Sequence, residues 1–373
     1  MAVPEREGHN DLWDRADKLL RNGEAASAIS EVLKFRDLNR DRPWQALNAG
    51  IWLVNNGQVG EETLKIFEEV YEIVTGNAEL LATLARVRIM SRHDEAALET
   101  AAEEALAALA LDRTSQPAFH SYVLARLLQK RYLEAHFATL ATERLGVDLA
   151  ILSTLSDLLS KGVKAIEIKA MGDDYAFMIK TETPACVHAC GQFLSHNLFE
   201  SEELEYTRTF AADAETMLEV GTLLGNHTAF YLRNFALKAI TCVEALPSLA
   251  EATQWAAEHN RPEGSDCVIN VINAWADEAV GEIEVLGHKV RRAPIDDLID
   301  GPVDFIKIDV DGGEMAVLAG AEKTLTDGPV RLMLETADQN ETAAHAWLGK
   351  RGYQRHEIFR HRGYANHFYR RDS

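Results

Sequence analysis

The sequence has few cysteines, no long apolar run and a deficit of basic residues. Four cysteines in 373 residues are too few for a disulfide-stabilised scaffold. No uncharged apolar stretch reaches the roughly 18 residues that a helix needs to span a bilayer, so a membrane span is excluded. Lysine and arginine number 38 against 59 aspartates and glutamates, a formal net charge of −21. Because this charge repels nucleic acids and anionic membranes except at a local basic patch, we do not expect nucleic acid as a partner.

The remaining composition is that of a soluble globular protein. Apolar residues make up 47% and charged residues 26% of the chain, and its length allows two domains with separate cores. The first ten residues, Met1–Asn10, are charged and lack the apolar segment of a secretory signal. We therefore expect a cytoplasmic protein.

The negative charge is unevenly distributed. Residues 201–349 sum to −17, whereas residues 350–371 contain seven lysines and arginines against a single acid, Glu357. The basic segment alternates around Arg362-Gly363, which predicts a final β-hairpin beside the last strand of a sheet. This hairpin is either a solvated face, or a patch that receives an anionic substrate or docks on the acidic remainder of the chain.

The N-terminal part carries a repeat of small residues. Gly23 and Gly57 are 34 residues apart, Ala28 and Ala96 are 68 apart, and Ala135 takes the role of Ala28 in a later copy. Small residues let two helices of a hairpin approach closely. The pattern resembles a degenerate tetratricopeptide array of about four helix pairs over residues 11–148, the alternative being a generic helical bundle. We expect a helical domain over residues 1–148 that offers a surface to a protein partner or to the other domain.

Residues 149–210 are predicted to form a bridge. A β-hairpin breaks at Gly172-Asp173-Asp174, and a helix follows over about residues 191–210. Cys186, His188, Cys190 and His196 have a spacing that could hold zinc, but the alternative is that the two cysteines are small core residues.

From Glu215 onward, short apolar strands alternate with helices. The predicted strands are TMLEVG, AITCVEA, CVINVINA, VDFIKIDVDG and VRLMLET. This alternation predicts a doubly wound, mostly parallel α/β sheet over residues 211–373. Ligands of such sheets bind beyond the carboxyl ends of the strands, where the strand order reverses.

The turn after the first of these strands indicates the cofactor class. Gly221 and Gly225 form a G-x-x-x-G turn, and Leu223 stands where a dinucleotide-binding fold has its second glycine. This argues against a nicotinamide or flavin cofactor. A turn of this kind suits S-adenosylmethionine, with Gly221 and Gly225 close to its aminoacyl part and Glu219 compensating its positive charges.

Residues after the second and third strands complete the predicted cofactor site. A carboxylate at the end of the second strand, Glu244, can accept both ribose hydroxyls, one on each oxygen. The third strand ends at Asn273-Ala274-Trp275, where we expect the adenine to lie. The neighbours of the turn and of the acid, Asn226 and Ala245, belong to the same predicted site.

Five segments together resemble the FkbM family of S-adenosylmethionine-dependent methyltransferases. They are MLEVGTLLGNHTAFYL, CVEALPSLAEAT, VINAWADEAVGEIEV, RRAPIDDLI and VDFIKIDVDGGEMAVLAGAEKTL, within residues 213–336. The resemblance implies a Rossmann-like class I methyltransferase fold, and methyl transfer to a hydroxyl of a sugar, glycan or natural product. Two positions depart from the family pattern. Glu219 replaces a common aspartate, and Asp311 replaces a common glutamate.

The fourth strand ends in a cluster of acids. Asp309, Asp311 and Glu314 are expected beside the transferred methyl group, where one of them could take the proton of the acceptor hydroxyl. Alternatively they could hold a divalent cation together with Glu335. A purely structural interpretation also exists, in which Asp311 caps the next helix and Glu314 completes a capping box.

His227, just after the glycine turn, is an alternative base, or else a residue at the start of a helix that contacts cofactor or solvent. Two other functions remain open. The chain could be a repeat scaffold with an inactive methyltransferase-like domain, or a nicotinamide-dependent oxidoreductase, although Leu223 speaks against the latter.

Overall fold

The computed structural model describes residues 7–21, 24–39, 42–327 and 331–371. Gly23 of the repeat pattern and residues 1–6 of the N-terminal segment lie outside the described residues. The chain divides into two compact units. The helical unit comprises residues 1–149, 337–342 and 361–364, and the sheet unit comprises residues 150–336, 343–360 and 365–373.

The described part of the helical unit contains four consecutive helix pairs, in which each helix packs against the next along the chain. Polar side chains fix where several helices begin. Asn77, Asp94 and Ser115 each accept a hydrogen bond from the backbone N–H three residues later. The helices are α1 Glu7–Arg21, α2 Ala25–Leu38, α3 Pro43–Asn55, α4 Glu61–Ile73, α5 Ala78–Ser91, α6 Glu95–Leu111, α7 Gln116–Leu128 and α8 Tyr132–Leu145.

The small residues of the repeat pattern have different environments. Ala28 and Ala135 are both fully buried and are both the fourth residue of the second helix of a pair. The prediction that Ala96 shares this role is wrong. Ala96 is exposed, because it is the second residue of α6, and the fourth residue is the buried Leu98. The tetratricopeptide assignment and the protein partner stay predictions.

The sheet unit begins with helix α9, Ala150–Ser160, and a hairpin of β1, Ala165–Ala170, and β2, Asp173–Met178, which pair antiparallel. The helix predicted over residues 191–210 is in fact two helices, α10 at Pro184–Leu194 and α11 at Ser201–Phe210. The chain breaks between them because His196 and Glu200 adopt left-handed backbone angles, with φ of 57° and 58°.

A seven-stranded sheet forms the centre of this unit and confirms the predicted doubly wound α/β class. Its spatial order is β11-β12-β10-β9-β3-β4-β5, and the five strands from β10 to β5 are parallel. All four residues of β9 are buried, as expected for a parallel strand covered on both faces. The strands are β3 Thr216–Val220, β4 Ala239–Glu244, β5 Val268–Asn273, β9 Phe305–Ile308, β10 Arg331–Ala337, β11 Tyr353–Arg360 and β12 Tyr364–Arg371.

The connections contain the helices α12 Asn226–Asn234, α13 Pro247–Asn260, α14 Glu314–Gly320, α15 Glu322–Thr326 and α16 Glu341–Gly349. They also contain a three-stranded sheet, β6 Trp275–Ala276, β7 Gly281–Val285 and β8 His288–Ala293, which the sequence pattern does not predict. The segment GEMAVLAGAEKTL, predicted as one helix, forms α14 and α15 instead. At this break a Cβ on Gly320 would lie 2.1 Å from the carbonyl oxygen of Asp277.

The C-terminal strands β11 and β12 form the predicted hairpin, and β12 lies next to β10. Two arginines of the basic segment, one before β11 and one at the end of β12, form contacts within the sheet unit. Arg351 pairs with Glu322 at 2.5 Å and stacks on Trp347, and Arg371 donates to the carbonyl of Thr326 at 2.6 Å. Among the described residues, none of the helices combines the length and hydrophobicity that a bilayer crossing requires.

Candidate active site

The strand order reverses between β3 and β9. From β3 the chain proceeds to β4 and β5 on one side, then crosses to β9 and β10 on the other. The register places Val220 opposite both Val243 and Ile308, so the residues that follow these strands lie at one edge of the sheet. The predicted cofactor and catalytic residues follow or end these strands, at the position where such folds bind ligands.

The glycine turn is held against the end of β9. Gly221 has φ of +80°, and a Cβ at this position would lie 1.6 Å from the carbonyl oxygen of Asp309. Gly225 has φ of +75° and begins α12, where a Cβ would lie 3.0 Å from the Cβ of Ala256. Gly221 therefore permits a close approach of two backbones, whereas Gly225 permits packing of α12 on α13. Leu223 also adopts a left-handed angle, with φ of 51°.

Both oxygens of Glu244 accept backbone hydrogen bonds. Its Oε2 accepts from the N–H groups of Thr222 at 3.0 Å and Leu223 at 3.1 Å, and its Oε1 accepts from Leu246 at 2.9 Å. Burial raises the pKa of Glu244, against the effect of these hydrogen bonds. The carboxylate thus holds the glycine turn in place, and its Oε1 has a further lone pair for a ligand hydroxyl.

The predicted adenine residues link the ends of β4 and β5. The side chain of Asn273 donates to the carbonyls of Glu244 at 2.9 Å and Ala245 at 2.8 Å, and the N–H of Ala274 donates to Glu244 at 3.1 Å. Ala274 is buried and the Trp275 side chain is half-buried. These contacts fix the backbone beside Glu244 and leave the Asn273 side chain exposed at the edge.

Glu219 and Lys307 are direct neighbours in the register of β3 and β9, and both are buried. Glu219 Oε2 accepts from the Thr228 hydroxyl at 2.5 Å, whereas its buried Oε1 has no hydrogen-bond partner among the described residues. Burial raises the pKa of Glu219 to about 7. Lys307 donates to Asp309 Oδ2 at 2.8 Å. Burial would lower the pKa of Lys307, but the charges of Asp309 and Glu219 outweigh it and raise the pKa.

Three carboxylates converge where β9 ends, two from the loop after β9 and one, Glu335, from within β10. One oxygen each from Asp309, Asp311 and Glu335 lies within 4.8 Å of the other two. Asp311 is exposed at the surface of this cluster with φ of 47°, yet the surrounding protein desolvates its carboxylate. This desolvation, together with the charges of Asp309 and Glu314, raises its pKa to about 6. Burial and the charge of Asp309 also raise the pKa of Glu335.

Glu314 does not join this cluster. It is fully buried, begins α14 and accepts a hydrogen bond from the N–H of Gly312 at 2.7 Å. The residue that precedes the helix is Gly313, and no side chain caps it. The alternative interpretation that Asp311 caps this helix is therefore wrong, while Glu314 does bond to backbone just before the helix.

Asn226 and His227 begin α12 and are both buried. The Asn226 amide bonds both backbone groups of Phe199, at 3.0 and 2.9 Å. His227 Nε2 lies 3.2 Å from Glu200 Oε2, and its Nδ1 lies 3.3 Å from the Asn226 amide. Burial and the charge of Lys307 hold the pKa of His227 well below its usual value, so the imidazole is neutral at pH 7.

Sequence reasoning missed one acid next to this group. Glu200 precedes α11 with a left-handed backbone angle, and its Oε1 accepts from the Asn366 amide at 2.6 Å. Glu200 lies in a segment that precedes the seven-stranded sheet, and Asn366 lies in β12, the last strand. Because only the tertiary fold brings Glu200 and Asn366 close to His227, no local sequence pattern predicts this group.

The zinc interpretation of the bridge is not supported. Cys186 and Cys190 are fully buried on α10, and burial raises the pKa values of their thiols to about 11 and about 12. His188 and His196 are exposed. No cluster with metal-ligating geometry includes these four residues in the part of the chain that the structure describes. The two cysteines are small core residues.

The mostly parallel sheet, in which the strand order reverses between β3 and β9, has the Rossmann-like fold of the methyltransferase class. Residues 226–362 match the family model described as the methyltransferase FkbM domain. This match confirms, for residues 226–362, the resemblance to the FkbM family that the sequence predicts. The match favours a methyltransferase over a nicotinamide-dependent oxidoreductase.

Solved structures with similarity to the chain include a methyltransferase FkbM from Methylobacillus flagellatus KT. It shares 17% identity over 71% of this chain with a TM-score of 0.37, and this chain spans 65% of its length. An O-methyltransferase from Bacillus cereus in complex with SAH shares 15% identity, covering 48% of this chain and 84% of that one, with a TM-score of 0.33. M. jannaschii TYW2 in complex with AdoMet shares 10% identity, covering 56% of this chain and 87% of that one, with a TM-score of 0.33. The search of curated proteins found no match.

Proposed function

We propose that the sheet unit transfers the methyl group of S-adenosylmethionine to a hydroxyl oxygen of a sugar, glycan or natural-product acceptor. The observation that carries this proposal is the group of carboxylates at the reversal of the strand order, in a domain that matches the FkbM methyltransferase model.

The residues at the sheet edge fit this cofactor. Glu219 Oε1 is buried without a hydrogen-bond partner among the described residues. A cationic ligand beside this carboxyl would favour its ionised form. Gly221 keeps the turn beside it free of a side chain. Glu244 retains a lone pair on Oε1 for a ribose hydroxyl, although its Oε2 already binds the turn. Asn273, Ala245 and Ala274 would border the adenine.

S-adenosylmethionine supplies a methyl group bonded to a positively charged sulfur. The acceptor oxygen displaces this sulfur in line and forms the new bond to the methyl carbon. The protein orients the acceptor oxygen and takes its proton. Of the four predicted catalytic groups, Asp309 and Asp311 retain access to solvent at the edge. Glu314 and His227 are buried and contact neighbouring groups, so we assign them to holding the site in shape.

Incubation with methyl-labelled S-adenosylmethionine and a panel of sugars, glycans and polyhydroxylated natural products tests this proposal. We expect label in an ether that resists alkaline hydrolysis, and a loss of at least a hundredfold in rate for Asp309→Asn. The exposed Asp300→Asn variant serves as the matched control. Cofactor binding without transfer to any acceptor would instead favour the alternative of a scaffold with an inactive domain.

A further inference from the structure

Asp309, Asp311 and Glu335 have the arrangement of a metal site. In the register of β9 and β10, Ile308 lies opposite Leu334, so Asp309 and Glu335 emerge next to each other at the same edge. One oxygen of each of the three carboxylates lies within 4.8 Å of the others. Oxygens bound to one Mg²⁺ or Ca²⁺ ion at about 2.1–2.5 Å are separated by no more than about 5 Å. The three carboxylates can therefore contact a single ion.

Glu335 provides an independent reason to expect a ligand here. Its side chain is only 8% exposed, and it has no hydrogen-bond or ion-pair partner among the described residues. The other buried glutamates of the sheet unit accept hydrogen bonds: Glu200 and Glu203 from Asn366, Glu219 from Thr228, Glu244 from backbone N–H groups and Glu314 from Gly312. A buried carboxyl aimed into an acidic cluster without a donor is costly to ionise, so it either keeps a proton or binds a cation.

Lys307 does not fill this role. Its ammonium donates to Oδ2 of Asp309 at 2.8 Å and forms no hydrogen bond with Glu335. One lysine also balances a single negative charge, whereas three carboxylates converge. A ligand set made only of carboxylate oxygens suits hard divalent cations such as Mg²⁺ and Mn²⁺.

We propose that Asp309, Asp311 and Glu335 bind one divalent cation, Mg²⁺ or Mn²⁺, that holds the methyl acceptor. This rests on the proposed function and narrows its acceptor class. Three protein ligands leave coordination positions open on the ion, so two neighbouring hydroxyls of one acceptor can chelate it.

The cation weakens the O–H bond of a bound hydroxyl. The proton leaves to water, the oxygen electron pair forms the new bond to the methyl carbon, and the carbon–sulfur bond breaks with its pair remaining on sulfur. A polyol with adjacent hydroxyls is then a better acceptor than its singly hydroxylated analogue.

Titration of the full chain with Mn²⁺, followed by electron paramagnetic resonance of the free ion, tests the site directly. We expect one Mn²⁺ per chain, and at least tenfold weaker binding for Glu335→Gln and for Asp309→Asn. Asp300→Asn, an exposed carboxylate outside the cluster, should bind Mn²⁺ as the unmodified chain does.

Thermal unfolding separates a lost ligand from a lost fold. Because glutamine keeps the size of the Glu335 side chain and removes a carboxyl that the neighbouring acids repel when it ionises, the metal-free variant should melt at or above the temperature of the unmodified chain. Addition of Mg²⁺ should raise the melting temperature of the unmodified chain and not that of Glu335→Gln.

Two results would overturn the metal site and leave the methyltransferase proposal standing. One is an equal Mn²⁺ affinity in the unmodified chain and in Glu335→Gln. The other is the absence of binding at millimolar Mn²⁺ while S-adenosylmethionine still binds. Failure to bind S-adenosylmethionine with or without Mg²⁺ would overturn the proposed function itself.

Discussion

Substitution of Gly221 by alanine should disrupt the sheet edge on which the candidate site is built. The added Cβ would lie 1.6 Å from the carbonyl oxygen of Asp309 and 2.8 Å from its carbonyl carbon, so the turn or the end of β9 must move. Overpacking of this kind costs about 1–3 kcal/mol, and a left-handed φ in a residue with a Cβ adds about 1–2 kcal/mol. We expect the sheet unit to lose about 2–5 kcal/mol in its free energy of unfolding.

Hydrogen exchange measured on peptides from β3 and β9 localises this effect. A loss of about 3 kcal/mol corresponds to roughly hundredfold faster exchange in those strands. The matched control is Gly281→Ala, because no atom lies within 4 Å of the added Cβ and its φ is an ordinary one. Unchanged protection of both strands in Gly221→Ala would refute the close approach of the two backbones.

Three further substitutions test the buried polar groups. Lys307→Met leaves the buried Glu219 and the partly buried Asp309 without their cation and should lower the free energy of unfolding by about 3–5 kcal/mol. The exposed Lys238→Met should change it by about 0–1 kcal/mol. Equal effects of the two substitutions in urea denaturation would contradict the burial of Lys307. Asn226→Ala leaves the backbone N–H and carbonyl of Phe199 without their partner and should lower the free energy of unfolding by about 1–3 kcal/mol for each group. A decrease below about 0.5 kcal/mol in urea denaturation would count against these two hydrogen bonds. The pKa of Glu219 rises from 4.5 in the unfolded chain to about 7 in the folded chain. Between these two pH values the folded chain keeps a proton that the unfolded chain releases, so the free energy of unfolding falls as the pH rises. Glu219→Gln removes this loss and should therefore gain about 3 kcal/mol over the unmodified chain between pH 4.5 and 7.5; a difference that does not vary with pH would contradict it.

The sequence predicts the central sheet well because each strand has a simple signal. β3 lies between Glu215 and Gly221, and β9 lies between Asp304 and Asp309. Each is a short, mostly apolar run bounded by glycine or acidic residues, as buried parallel strands usually are. The positions of Glu219 and Glu244 at strand ends follow directly from these boundaries. The functional edge is thus predictable wherever strand ends determine it.

The parts that could not be predicted depend on contacts between distant segments. The break between α10 and α11 arises at His196 and Glu200, two non-glycine residues with left-handed backbone angles. The hydrogen bond from Asn366, a residue distant in sequence, holds the Glu200 side chain in place. The separation of Glu314 from Asp309 and Asp311 depends on a hydrogen bond to Gly312, since all three acids fit the same sequence pattern. Neither outcome follows from periodicity or composition.

Calorimetric titration of the full chain with S-adenosylmethionine tests the central claim most directly. We expect one cofactor bound per chain, an affinity at least tenfold lower in Glu244→Ala, no detectable binding in Gly221→Ala, and an unchanged affinity in the control Gly281→Ala. Absence of binding at millimolar cofactor would contradict the account, and an unaltered affinity in both site variants would place the cofactor elsewhere than at the edge formed by β3 and β4.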